Sequence, residues 1–366
     1  MTLLVDTAPE GTPPSRPKTP VTIDSIVSPA PREAWATLVR EDPGSMADHS
    51  PEWTDAITAS APYRDISRLY ELSDGRRFVL PLIRRKGPAR WAGLSASFPE
   101  GWGFGGLVGP RKDADAVRLV LTDLESSRDV FTRIRPDPLE ADLWATGAPS
   151  SVVTTTKRAH VLDLTVGEEA LRANMHSSAR GALRKAERAG LRVECDANGD
   201  RLADYYHLYE RSLERWAASS HEPVWMARWR GRRRDPLAKL QTIADCLGDR
   251  FRLYLAYVDD VPAAGQIVLF GNTAHDTRGA MDRELAAPTR ATFLIQWQAI
   301  VDAARAGCQV LHLGESGTSA TLARYKEHYG ARSVDYLDYR VERLPITRAD
   351  RALRGVVKSI IGFRED

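Results

Sequence analysis

Residues 251–271 read FRLYLAYVDDVPAAGQIVLFG, and this stretch decides the fold. Two runs rich in aromatic and β-branched residues flank Asp259, Asp260 and Pro262, the composition of two strands joined by an acidic turn. TAHDTRGAMD (273–282) predicts a third strand, so the segment is an antiparallel meander. Thr289 to Gly307 follows with helical spacing: Phe293, Trp297, Ile300 and Ala304 share a face, with Leu294 and Val301 beside them. QVLHLG (309–314) is the next strand. It runs into ESGTSATLARYKEHYGAR (315–332), a small polar loop and a helix carrying Lys326 among aromatic residues.

Upstream, HVLDL (160–164) predicts a strand and Leu171 to Gly190 a helix stopped by its terminal glycine. LRVEC (191–195) is a further strand, followed by helices over Ala203–Ala218 and Leu237–Cys246. The first half has the same mixed character. TIDSIV (22–27) and RRFVLPLIRR (76–85) read as strands, and REAWATLVRE (32–41) and DADAVRLVLTDLESS (113–127) as helices. ISRLYELSDGRRFVLPLI (66–83) echoes 251–270 in its order of strand, acidic turn and strand; only Arg-Leu-Tyr is identical (68–70 and 252–254). That is the pattern of a duplicated α/β domain. The expected organisation is a disordered, Pro/Thr-rich lead over 1–20, one domain over 21–150, a second over 151–345, and an amphipathic helix over 346–366.

A chain of 366 residues is long enough for two cores, and its net charge of +2 imposes no global field toward nucleic acid or membrane. Cys195, Cys246 and Cys308 are far apart and lack C-x-x-C spacing, and the eight histidines show no H-E-x-x-H. Neither a disulfide framework nor a metal site is expected, and a reducing cytoplasm fits. No apolar run reaches the roughly 18 residues of a membrane span.

Several stretches carry candidate chemistry. GWGFGGLVGP has G-x-G-x-x-G at Gly101, Gly103 and Gly106, but it runs into Leu-Val-Gly-Pro rather than opening a helix, so it reads as a flexible or substrate-lining loop. Arg180, Arg184, Lys185 and Arg188 make a basic helix face, which is either solvated or grips phosphate. Arg228, Arg230, Arg232, Arg233 and Arg234 lie beside Trp225 and Trp229, either a nucleic-acid surface or a solvated loop anchored by its tryptophans. Over 347–364 the apolar stripe Leu353, Val356, Val357, Ile360 and Ile361 opposes Arg351, Arg354 and Lys358. Such a helix packs on its own domain or makes peripheral membrane contact.

The ordered set SSARGALRKAERAGLRVE, YERSLERW, VPAAGQIVLF, TRGAMD and LHLGESGTSATLARYKEHYGA resembles the FemAB/FemX-like branch of the GNAT (Gcn5-related N-acetyltransferase) superfamily, best over 151–342. The resemblance implies an α/β fold of two tandem GNAT-like domains, each a mixed, mostly antiparallel sheet flanked by helices, with the active cleft between them. It implies an acyltransferase that forms an amide bond by passing an activated acyl group to an amine; in FemAB/FemX enzymes the donor is aminoacyl-tRNA. The family's aromatic-Lys pair falls on Tyr325 and Lys326, the Lys stabilising the oxyanion, and its phosphate-holding Arg falls on Arg215. The sequence departs from the family after Trp53, where Thr-Asp-Ala-Ile lacks the basic residue that grips a nucleotide-linked cell-wall precursor. MDRELAAPTRAT also lacks the glycine-containing pyrophosphate loop of acyl-CoA enzymes.

The expectation is therefore a small-molecule or peptide amine as acceptor, aminoacyl-tRNA preferred over acyl-CoA as donor, and no resident cofactor or metal. Arg180 or Arg184 assists Arg215 with phosphate or carboxylate. Asp282, Glu315 and Ser316 are the polar candidates near the reacting groups, and no side chain stands out as general base. The rival reading is a catalytically silent GNAT-like shell that binds RNA or an anionic membrane surface.

Overall fold

The computed structural model describes residues 20–87, 93–127, 129–317 and 319–343. The lead expected over 1–20 lies outside the described residues except for Pro20, as does the whole helix expected over 346–366. The described strands are β1 (Ile23–Val27), β2 (Tyr63–Asp65), β3 (Arg68–Leu72), β4 (Arg77–Leu80), β5 (Ile83–Arg85), β6 (Leu94–Ala96), β7 (Phe131–Ile134), β8 (Val153–Asp163), β9 (Arg192–Asp196), β10 (Phe251–Val258), β11 (Val261–Leu269), β12 (Ala274–Met281), β13 (Val310–Glu315) and β14 (Arg332–Glu342). One sheet runs β2-β5-β6-β7-β14-β8-β13-β12-β11-β10-β9, and a second runs β1-β3-β4. This is the α/β architecture of two GNAT-like halves. The long strand β14 joins them by pairing with β7 on one side and β8 on the other.

The meander forms where the sequence demands it. β10 and β11 pair antiparallel across Asp259 and Asp260, both at positive φ, as a two-residue hairpin turn requires. Pro262 sits where the register shifts, so its missing N–H costs no regular ladder bond. Alternation then divides the two cores. Tyr254 and Ala256 pack with Ile295 and Ile300 of the helix Ala291–Arg305. Leu253 and Leu255 face Tyr205 and Leu208 of the helix Leu202–Ser220.

Each half contains one parallel strand pair joined through a helix: β6, Ala114–Glu125 and β7 in the first; β12, Ala291–Arg305 and β13 in the second. The echoed hairpin also exists in both halves, but β3-β4 belongs to the small sheet and β10-β11 to the large one.

Three local expectations are corrected. The helix expected over 171–190 is two, Glu168–Asn174 and Ser177–Arg188, because His176 takes an extended ψ of 146° and its ring accepts the Ser178 N–H as a cap. The arginine-rich stretch after Pro223 is not a loop but a helix, Val224–Arg234; Gly231 lets it close on Leu213, which a Cβ would meet at 2.4 Å. The helix expected from Thr289 starts at Ala291, and a separate short helix Arg283–Thr289 precedes it, divided from it by the left-handed Arg290.

Candidate functional site

β12 and β13 run parallel but pair only at Ala274–Leu311 and His275–His312. Beyond those two positions the strands diverge, and a cleft of about 970 Å³ opens through the gap. A bulge interrupts β12 beside it: Arg278 opposes Ile267 and Asp276 opposes Val268, leaving Thr277 as the extra residue, and these three β12 residues line the cleft. Because side chains alternate, the cleft is lined from both faces of the sheet. Asp276 shares a face with Val268, toward the helix Ala291–Arg305, while His275 shares a face with Leu269, toward Trp53, Trp102 and Phe104 of the first half.

Lys326 is brought in by the helix Ala320–Glu327, which Ser319 caps by accepting the Leu322 N–H at 3.2 Å. Its ammonium donates to the carbonyls of Gly314 (3.0 Å) and Glu315 (2.8 Å). Gly314 adopts φ +68°, a left-handed conformation that turns the end of β13 so that the two carbonyls converge. Burial pushes Lys326 down to about 8, against the opposing fields of Asp276 and Glu315. Burial likewise raises Asp276 to about 6, with Lys326 the foremost charge resisting the shift. Asp276 is half-buried at the cleft. The two are each other's leading opposite charge, yet no ion pair within 4.0 Å joins them. Beside Asp276, the buried side-chain amides of Gln266 and Gln296 also favour its carboxylate form, although neither amide nitrogen meets an acceptor in full hydrogen-bond geometry.

The sequence candidates divide. Tyr325, Lys326, Arg215 and Glu315 all line the cleft. The Tyr325 hydroxyl donates to the Thr292 carbonyl at 3.4 Å, and burial pushes it up. Arg215 is half-buried, its guanidinium donating to the Met281 carbonyl at 3.2 Å; burial lowers it, and Arg283 nearby adds to the effect. Glu315 accepts from the Tyr336 hydroxyl and lies 3.7 Å from Arg135.

The others do not meet at the cleft. Ser316 is bonded to His160 at 3.2 Å. Asp282 caps the helix Arg283–Thr289 by accepting the Glu284 N–H (2.9 Å) and pairs with Arg211. Arg180 holds the carbonyls of Ala173 and Met175, and Arg184 stands exposed on its helix. In the arginine cluster Arg228 pairs with Glu214, Arg230 with Glu222, Arg232 with Glu210 and Arg234 with Asp235, while Arg233 stacks over Trp229. Trp225 and Trp229 stay largely exposed. The cluster is thus a charge-balanced surface helix, next to the helix that supplies Arg215 and Trp216 to the cleft.

Sequence reasoning missed Asp276, His275, Gln266 and Gln296, all on or against the meander. A run such as QIVLFG or AHDTRGAM shows polar residues within a strand, but the bulge and the splay that turn them into a cleft depend on pairing between distant segments. The glycine-rich loop does line the cleft, through Gly101, Trp102, Gly103 and Phe104. Among the described residues no group of three or more His, Cys, Asp or Glu side chains is arranged to hold a metal ion, and no helix is long and apolar enough to cross a membrane.

Residues 173–327 match a family described as the acetyltransferase (GNAT) domain. This span holds Arg215, the splayed strands and Lys326. The fold of the whole chain is similar to that of FemX at 12% identity, covering 89% of this chain and 99% of FemX with a TM-score of 0.66. L-PGS from Bacillus licheniformis is similar at 12% identity over 92% of this chain and 98% of its own, with a TM-score of 0.50. The C-terminal domain of a putative lysylphosphatidylglycerol synthetase from Agrobacterium fabrum is similar at 13% identity over 89% and 96%, with a TM-score of 0.51. The curated proteins include no match to this sequence.

Proposed function

We propose that this chain, whose residues 173–327 match the acetyltransferase (GNAT) domain and whose fold is similar to that of FemX, is an acyltransferase of the FemAB/FemX-like kind that forms an amide bond by transferring an aminoacyl group from tRNA to an amine in the cleft between β12 and β13. The observation that carries the reading is Lys326: a buried ammonium, aimed by two backbone carbonyls into a gap between splayed parallel strands. In this reading the donor carbonyl lies against Lys326, whose charge stabilises the oxyanion that develops as the amine attacks. A fixed cation in a water-poor site needs little reorganisation at that moment, and removing one such donor costs about 10²–10³ in rate.

Arg215 serves as the anion anchor at the cleft wall, held by the Met281 carbonyl and without a carboxylate ion pair among the described residues. Asp276 serves as the counter-charge that keeps Lys326 protonated near neutrality. The preference for aminoacyl-tRNA over acyl-CoA rests on two features. Asp282 already occupies the first turn after β12, placing negative charge where a pyrophosphate would otherwise meet free N–H groups. Exposed Trp225 and Trp229, interleaved with arginine, stand on the helix beside Arg215 and offer stacking surfaces for nucleotides.

The test is binding of purified protein to deacylated bulk tRNA and to acetyl-CoA at two salt concentrations, followed by transfer assays with the donor that binds. Salt-sensitive tRNA binding without CoA binding is expected. CoA binding alone would make this an acyl-CoA acyltransferase, and binding of RNA with no transfer and no effect of Lys326→Ala would favour the silent binding shell.

A further inference from the structure

A buried Asp-His pair stands at the cleft on the face opposite Asp276. Asp48, in the turn Ala47–His49 of the first half, faces Nδ1 of His275 on β12 at 2.7 Å. The pair therefore bridges the two halves of the chain. A carboxylate opposes only an N–H, so Nδ1 carries a proton, and in the neutral imidazole Nε2 is then the nitrogen that holds the lone pair. His275 lines the cleft, and its Nε2 lies 3.9 Å from where a Cβ on Gly314 would stand, beside the carbonyl that holds Lys326.

Two residues of the glycine-rich loop keep the imidazole and its carboxylate in this pose. The Phe104 ring packs on it with centroids 5.2 Å apart. The Phe104 N–H donates to the same Asp48 oxygen at 3.3 Å. Gly103 makes the approach possible, since a Cβ there would lie 1.9 Å from that oxygen. The second glycine of the glycine-rich loop thus makes room for the carboxylate that orients the histidine. The charged or titratable groups around the ring include Asp48 from the turn, His312 from β13, Asp276 on its own strand and, across the Gly314 carbonyl, Lys326. Burial holds His312 down to about 3, so it stays neutral and adds no cation beside His275.

We infer that His275 is the catalytic base of the transfer reaction and that Asp48 is its positioning residue. This rests on the acyl-transfer reading above. The acceptor nitrogen attacks the donor carbonyl carbon, its N–H proton passes to Nε2, and the oxygen charge forms against Lys326. Collapse of the intermediate breaks the carbon–oxygen ester bond, and the imidazolium returns that proton to the departing ribose oxygen, leaving an amide and a free hydroxyl. Placing the base on the first-half face and Asp276 on the other assigns acceptor entry to the side of Trp53, Trp102 and Phe104.

The experiment is single-turnover transfer by the full chain across a pH series, using whichever of bulk aminoacyl-tRNA or acetyl-CoA binds and glycinamide as probe acceptor. It compares wild type, His275→Asn, Asp48→Asn and Lys326→Ala, with thermal melts and donor binding measured in parallel. Asparagine at 275 keeps a donor toward Asp48 but no base. His275→Asn is expected to lose ~10²-fold or more at neutral pH, with donor binding kept. The ratio of wild-type to His275→Asn rate should shrink as pH rises and hydroxide takes over proton removal. Asp48→Asn should show a smaller loss of the same pH form. A His275→Asn deficit that is absent, or constant across pH, overturns the inference; a constant deficit in Asp48→Asn does so even where the 275 variant is too unstable to assay. Lys326→Ala separates the two readings: loss there with normal rates in both dyad variants sinks only the base, whereas normal rates in Lys326→Ala sink the underlying reaction.

Discussion

Replacing Asp276 by Asn tests whether the charge on Lys326 is what the cleft is built to hold. The carboxylate is the foremost group opposing the burial that brings Lys326 down to about 8. It is ionised above about 6, so it supports the ammonium wherever Lys326 itself titrates. No ion pair joins them within 4.0 Å. For an assumed separation of ~8 Å and an effective dielectric of about 20, unit charges interact by about 2 kcal/mol, which corresponds to a pKa change of ~1.5. The sign is definite: deleting the anion makes the ammonium harder to keep. Oxyanion stabilisation is present below the Lys326 pKa and lost as pH rises through it, so the alkaline limb of the wild-type pH-rate profile should fall near 8. In Asp276→Asn it should move to roughly 6.5–7. Single-turnover transfer rates against pH would read the limb directly, and the pH dependence of Lys326 acylation by acetic anhydride would read the amine without turnover. A limb that stays in place, or moves to higher pH, would refute the coupling.

Lys326→Ala is expected to lower kcat by about 10²–10³ while donor and acceptor binding persist, measured by steady-state kinetics and titration. Arg215→Ala should raise the apparent Kd for tRNA by about 10-fold, the worth of one charge-assisted bond to an anion, with little change in the single-turnover rate at saturation. Gly103→Ala should destabilise the fold and depress turnover together, because φ of +97° and a 1.9 Å clash with Asp48 both oppose the methyl group; equal melting temperatures for variant and wild type would count against that packing. Gly231→Ala should lower stability by about 1–3 kcal/mol by pushing the helix Val224–Arg234 off Leu213, seen in chemical denaturation.

The meander and the long helix were legible because both rest on local periodicity and turn chemistry, as in the Asp259–Asp260 hairpin. The placement of Lys326 and Tyr325 at the cleft was legible through resemblance, since a motif in a fixed order carries their position. Asp282 illustrates the opposite case. Its position after a strand suggested chemistry, yet the backbone uses its carboxylate as a helix cap, a local demand indistinguishable in sequence from a catalytic one. The charge balance of the arginine cluster was hidden for another reason. Its partners Glu210, Glu214 and Glu222 lie on or beside a neighbouring helix, and charge compensation across helices leaves no mark on the run of arginines itself. His275 and Asp276 were hidden because their exposure to a cleft depends on two strands parting more than thirty residues apart in the chain.

The duplicated architecture explains why one half holds the cleft. In the first half β6 and β7 remain paired at Leu94–Phe131, Ser95–Thr132 and Ala96–Arg133, and the Ser97 N–H continues the ladder to the Arg133 carbonyl. The pair is pinned from outside as well: Asp129 accepts from Ser95 and Arg84. The cavity near its end is only about 10 Å³. In the second half the corresponding strands part after two positions, a bulge re-aims Asp276, and Gly314 turns the strand end toward Lys326. The first half instead contributes a wall: Trp53 and Trp102, edge to face at 5.5 Å, together with Asp48, which reaches His275. A fold made of two similar halves can thus separate its tasks, because a closed parallel pair supplies rigidity and an open one supplies a passage between the two faces of the sheet. If that division is right, substitutions that loosen Asp129 should cost stability without creating a second site, while substitutions at Asp48 should reach the chemistry from the other half of the chain.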